Sequence, residues 1–389
     1  MVGASAVNSK MPYTKAFFFD VMRGLSAQMV LVGHALNVCF PSYFMQAGRG
    51  DILEARPGLL YIQNLGVLVF FCISGYLVTS SILRRSNRDG YALTDYMLDR
   101  FARIFTPLLP LLLLLFVIDN VLAWQGWQLR YTELNSDPLT LLLNSLMLFG
   151  HVGMSVLARL IGVAEFKAGA FGTADQLWTV VIEWWIYVGF GIIAFAVMNR
   201  KRPSVARTAL LLFALLPPFY LLARGNGLVV AWIIGMLGAI GQPRLALLPK
   251  IALALTCVTM ISAAAICALW NSLNFYHPFF AAAFSLALLT AHQLTMQARR
   301  TRNRGFVTQF LSGLSTISYF VYLVHLSVLF WVVAWTPDYS ESIPMVIALV
   351  LAANMVSICF YFCFERHYPK IRSWLDVAMK RQSLMGGHT

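Results

Sequence analysis

Apolar stretches of about 17 to 25 residues, long enough as helices to cross a hydrocarbon layer of roughly 30 Å, recur from one end of this chain to the other. They predict spans at 17–39, 61–83, 104–123, 177–198, 208–223, 227–241, 251–270, 276–293, 310–336 and 343–364. The fold class that follows is all-α, a polytopic transmembrane bundle of about ten helices. One outer segment breaks the rhythm: 124–176 is long, and its apolar piece from Leu139 to Phe149 is too short to span, which predicts a re-entrant or surface-lying helix there.

Charge fixes the orientation. Cytoplasmic loops retain Lys and Arg, and the basic clusters at Arg84, Arg85, Arg88, Arg100 and Arg103, at Arg200, Lys201, Arg202 and Arg207, at Arg299, Arg300, Arg302 and Arg304, and from Arg366 to Arg381 all fall on one side of the predicted bundle. The other side holds only Arg49, Arg56, Arg130, Arg159, Lys167 and Arg224. This predicts cytoplasmic N and C termini, a single transmembrane domain over 1–376 and a cytoplasmic tail over 377–389. The first apolar stretch carries Asp20 and Arg23 and reads as a retained helix, not a cleaved signal.

Composition agrees with a membrane protein, at 59% hydrophobic and 12% charged residues. The net charge of +13 comes from inner-face cations that set topology and touch anionic lipid, so it does not argue for nucleic acid. The six cysteines form no disulfide framework, and no metal-ligand spacing or Gly-rich phosphate loop appears.

Ionisable groups within spans each need a reason, since one near the membrane centre costs at least about 2.5 to 3.5 kcal/mol on insertion scales. Asp20 and Arg23 are three apart on the first helix, and His34 returns to within about 20° of the direction of Arg23, so the three form one stripe. Arg23 lies about 9 Å from the inner end and His34 about 8 Å from the outer end; Glu183, in Trp178-Thr179-Val180-Val181-Ile182-Glu183, descends about 9 Å from the outside. His325 lies near the middle of the ninth span. Spacing alone leaves an interhelical hydrogen-bond network, a proton relay and a transfer centre all open.

Five motifs in order carry a resemblance. They are Asp20-Val21-Met22-Arg23-Gly24 with His34 after ten intervening residues, Phe70-Phe71 with Ser74-Gly75-Tyr76, Arg100-Phe101-Ala102-Arg103-Ile104, Leu177-Trp178 with Glu183 and Tyr187, and Ser318-Tyr319 with Tyr322-Leu323 and His325. Together they resemble the acyltransferase-3 family of membrane proteins, which includes O-acetyltransferases of O-antigens and exopolysaccharides. Thr179 stands where that pattern often has Ser, and Leu68 where it is often polar.

The resemblance implies transfer of an acyl group, most simply acetyl, from cytosolic acetyl-CoA to a hydroxyl of a carbohydrate or lipid-linked glycan, in the cytoplasmic membrane of a bacterium. It implies His34 as the base with Glu183 as its orienting carboxylate, and Arg23 and Asp20 as further catalytic-stripe residues. Arg100 and Arg103, with Ser74 and Tyr76, are implied for the donor, because guanidinium groups grip phosphates in a bidentate fork. His325, Tyr322 and Trp178 are secondary candidates. Trp124, Trp127 and Tyr131 offer a sugar platform or an interfacial belt. The competing reading is a secondary transporter or glycan flippase using the buried charges for coupling, for which the Gly-rich 227–241 and Pro217-Pro218 are the sequence hints.

Overall fold

A computed structural model describes residues 13–40, 61–86, 90–126, 135–160, 169–200, 202–271, 274–297, 306–336 and 342–385. Trp127, Tyr131, Arg49, Arg56, Arg88, Arg130, Lys167, Lys201, Arg299, Arg300, Arg302 and Arg304 lie outside the described residues. The helices are α1 (Tyr13–Cys39), α2 (Ile62–Arg85), α3 (Leu93–Trp124), α4 (Pro138–Ser145), α5 (Val152–Leu160), α6 (Trp178–Met198, entered through a 3-10 turn at Asp175–Leu177), α7 (Val205–Ala223), α8 (Leu228–Leu245), α9 (Lys250–Trp270), α10 (Pro278–Gln297), α11 (Phe306–Ala334), α12 (Ile343–Cys363) and α13 (Tyr368–Met385). No strand occurs among the described residues.

Nine of these, α2, α3 and α6 to α12, are long and apolar enough to cross a membrane. The predicted first span is α1, which at 27 residues has the length but is diluted by Asp20, Arg23, Gln28, His34 and Asn37. It is nevertheless central, packing against α2, α11 and α12. Its polar positions are matched by neighbours: Gln28 and Asn354 of α12 exchange two side-chain hydrogen bonds at 2.8 and 3.0 Å. Large apolar side chains stand exposed on α7, α9 and α12, among them Leu212, Phe219, Val258, Ile266, Ile347 and Met355, as befits helices that face lipid.

Three elements depart from the predicted boundaries. The third span begins at Leu93, not at 104, and its 32 residues make a rod of about 48 Å that carries Arg100 and Arg103 as helical residues. Among the described residues of segment 124–176 there are two short α-helices, α4 and α5; Asp137 caps the first, accepting from Thr140 N at 3.0 Å and Thr140 Oγ1 at 2.5 Å, and these bonds hold its carboxyl below the usual range. Helix α13 runs through the expected end of the domain at 376. It is tied back to α3 by Arg372, which meets Asp99 at 2.9 Å and Asp95 at 3.5 Å.

Gly235 of α8 serves packing. A Cβ on Gly75 of α2 would overlap the Trp232 carbonyl, and one on Gly235 would overlap the Cys72 carbonyl, so the two helices cross backbone to backbone. We expect Gly75→Leu or Gly235→Leu to cost at least about 1 to 3 kcal/mol by overpacking, seen as early thermal aggregation of the detergent-solubilised protein. Unchanged melting in both variants would show that the crossing tolerates a side chain.

Candidate active site

Two polar centres are built along helix α11. The first follows from its parallel course beside α1. Near one end Arg23 donates from Nη2 to the Ser315 carbonyl at 3.1 Å, the Ser315 hydroxyl donates to Asp20 at 3.4 Å, and Arg23 lies 4.0 Å from Asp20. Eleven residues further along α1, about 16 Å by helical rise, His34 meets His325 with 3.1 Å between His34 Nδ1 and His325 Nε2. The predicted stripe thus faces one neighbour along its length.

The hydrogen bonds assign the protons of this pair. His325 Nδ1 lies 2.8 Å from the Tyr322 carbonyl and 3.1 Å from that of Val321; carbonyls only accept, so Nδ1 carries the hydrogen and the neutral ring presents Nε2 as an acceptor. His34 Nδ1, at 3.1 Å, must then donate, sharing its hydrogen with the Val30 carbonyl at 3.0 Å. The lone pair of the dyad is left on His34 Nε2. His325 is fully buried and His34 only partly so, which makes His34 the ring that a reactant can reach.

The second centre is a cavity of about 290 Å³ enclosed by α1, α2, α3, α6, α11 and the start of α13. Four guanidinium groups line it, from Arg23, Arg85, Arg100 and Arg103, against two carboxylates, Asp99 and Glu183. Arg85 is paired with Asp99. Arg100 instead lies over the rings of Tyr187 and Tyr96 at 5.7 and 5.9 Å, and Arg103 over Tyr368 and Tyr319 at 5.9 and 6.0 Å. Among the described residues neither makes an ion pair within 4.0 Å. Aromatic faces hold these two cations, with the buried Glu365 acting on Arg103 without a direct ion pair, and Arg100 Nε is buried and unpartnered.

Glu183 belongs to this cavity and not to the histidine pair. Tyr187 donates to Glu183 Oε1 at 2.5 Å, and Ser74 lies 2.8 Å from the Tyr187 hydroxyl. The expected orienting contact from Glu183 to His34 is therefore replaced by His325, one of the secondary candidates. Ser74 lines the cavity, whereas Tyr76 does not: its ring packs on Phe19 at 4.7 Å and on His292 at 5.5 Å. Trp178 also stands outside the lining, edge-on to Tyr276 at 6.4 Å.

The cavity ends at Val67, Phe70, Thr179 and Tyr322. Tyr322 is hydrogen-bonded to Thr179, sits edge-on to Phe70 at 5.5 Å, and offers the carbonyl that orients His325. A single residue therefore forms both the end wall of the arginine-lined cavity and the support of the histidine pair. Sequence reasoning did not place Asp99, Tyr368 or Asp119 at any site, although Asp119 is a carboxylate alone in an apolar run and so carried a signal.

A multi-pass integral membrane protein with an arginine-lined cavity on one side of a buried histidine pair is the class that fold and site define. The chain belongs to the acyltransferase-3 family, matching its acyltransferase domain over residues 17–363, from within α1 to the end of α12. A curated relative, an O-acetyl transferase of Shigella phage Sf6, is 27% identical over 193 residues. That alignment covers 48% of each chain, so this chain spans about half the length of the curated relative it matches. No solved structure matches.

Proposed function

We propose that this protein is an O-acyltransferase of the bacterial cytoplasmic membrane, moving an acetyl group from acetyl-CoA to a hydroxyl of a carbohydrate or lipid-linked glycan on the outer side. The observation that carries the reading is the placement of two guanidinium groups without a direct ion pair in a cavity that ends one helical turn from the histidine dyad. The family match and the phage O-acetyl transferase support the reaction class.

Acetyl-CoA supplies an activated thioester and three phosphate groups. Arg100 and Arg103 grip the phosphates in charge-assisted hydrogen bonds, with Arg23 beyond them along the cavity. The roughly 16 Å between Arg23 and His34 is on the scale of an extended pantetheine arm. For the arm to reach the dyad, Tyr322 and Phe70 have to turn aside. His34 Nε2 then removes the proton of the acceptor hydroxyl as its oxygen bonds to the acyl carbon, and returns that proton to the departing thiolate. His325 accepts the hydrogen bond from His34 Nδ1 throughout, holding the tautomer and stabilising the imidazolium.

The test is incubation of membranes with labelled acetyl-CoA and a panel of methyl glycosides and lipid-linked oligosaccharides. Inside-out vesicles carrying the glycans in their lumen should transfer label from acetyl-CoA added outside, and intact right-side-out vesicles with both added outside should not. Label appearing equally in both would overturn the direction of delivery; no CoA-dependent turnover in purified protein would overturn the reaction.

A further inference from the structure

Asp119 is a carboxylate for which the acyl-transfer scheme has no use. It lies in the half of α3 towards Trp124, among Leu111, Leu115 and Leu122, and is fully buried. A carboxylate in such surroundings has to be satisfied by donors, and here all of them come from elsewhere in the fold. Trp331 of α11 donates its indole N–H to Oδ1 at 2.9 Å. Thr173 donates its backbone N–H to Oδ2 at 2.9 Å, and its hydroxyl lies 3.1 Å from the same oxygen and 3.3 Å from Oδ1. The preceding Gly172 has φ 51°, and a Cβ there would overlap Asp119 Oδ2, so only glycine lets the loop come this close.

The segment pinned in this way is the one that leads into the site. Gln176 donates from Nε2 to the Leu323 carbonyl at 2.5 Å, and Thr179 is bonded to Tyr322. The segment is therefore fastened to α11 at two heights, at Trp331 and at Leu323, and His325 lies between them. Its far side is fastened too: Gly172 N donates to the Asn135 carbonyl at 2.9 Å and Phe171 N to Asn144 Oδ1 at 3.1 Å. Along it Asp175 is exposed and Trp178 half-buried, a carboxylate that can accept from sugar hydroxyls and a ring that can stack on a sugar face.

We infer that Asp119 is a positioning residue for the acceptor, holding segment 171–177 as a fixed wall of the acceptor site beside the His34–His325 dyad. This rests on the acyl-transfer reading. The dyad is oriented by carbonyls of its own helices and the donor cavity by α2, α3 and α6, so freeing the segment affects acceptor binding first.

The experiment compares Asp119→Ala, Asp119→Asn, Gly172→Ala and the Asp119→Ala/Gly172→Ala double variant as purified full-length protein. Donor affinity is measured with acetyl-CoA, donor hydrolysis with water as acceptor, and transfer with the best acceptor of the glycan panel titrated at saturating acetyl-CoA. Asp119→Ala and Gly172→Ala should each raise the acceptor KM at least about tenfold, the size of one lost charged hydrogen bond, with donor affinity and hydrolysis close to wild type. Asp119→Asn keeps an oxygen for Trp331 but turns an amide towards the Thr173 N–H, so its KM should lie between. The double variant should be little worse than either single one, because both open the same contact. An unchanged acceptor KM overturns the inference, as does a parallel fall of transfer and hydrolysis, which is what loss of folded enzyme produces. A wild type that neither binds nor hydrolyses acetyl-CoA overturns the acyl-transfer reading instead.

Discussion

His34→Ala should lose at least about 100-fold in acyl transfer, the lower end of what a positioned acid–base group contributes. Donor affinity should stay near wild type, because His34 is not among the residues that line the cavity, and Arg23, the cavity cation on the same helix, stands about 16 Å away along α1. His325→Ala removes the acceptor of the His34 Nδ1–H bond and should also cost transfer, with the double variant little worse than the worse single one, as for groups that act as a unit. Transfer rates in membranes matched for expression decide the matter. A purely structural interhelical hydrogen bond would instead cost about 1 kcal/mol of stability and leave turnover intact. Near-normal transfer in His34→Ala would remove the dyad from the mechanism.

Arg103→Ala is the second large effect, on the donor side. Each charge-assisted phosphate contact contributes about 1.5 to 3 kcal/mol, so losing one should weaken acetyl-CoA binding roughly 10- to 100-fold. Arg100→Ala should behave alike. Neither residue makes a direct ion pair, but Arg103 lies in the field of the buried Glu365, so thermal melting of each alanine variant has to accompany the titration and Arg100→Ala is the cleaner of the two. Arg103→Lys keeps the charge but not the bidentate fork and should recover only part of the affinity. Calorimetric titration of detergent-solubilised protein with acetyl-CoA measures this, and unchanged affinity in both alanine variants would place the phosphates elsewhere.

Hydropathy and helical periodicity carried the fold a long way, because lipid obliges every span to be long and apolar and every ionisable residue to face protein. The Asp20, Arg23 and His34 stripe was legible for that reason. Periodicity says which face of a helix is polar but not which neighbour meets it. Depth alone suggested Glu183 for His34, yet that carboxylate accepts from Tyr187 one turn further along its own helix α6, while α11 brings His325 alongside α1. The start of α3 was hidden because Asp95, Asp99, Arg100 and Arg103 read as loop, although their charges pair with α13 or rest on rings. Tyr76 was drawn to the donor by sitting next to Gly75, but a shift of two residues from Ser74 turns it to the opposite face of α2.

The polar stripe of α1 also bears on how the chain is made. Arg23 is met by Ser315, Gln28 by Asn354 and His34 by His325, all from the last third of the sequence. During synthesis the first helix therefore reaches the bilayer long before these partners exist. A chain cut short before residue 306 therefore strands an arginine and a histidine in the first span without the groups they meet in the full fold.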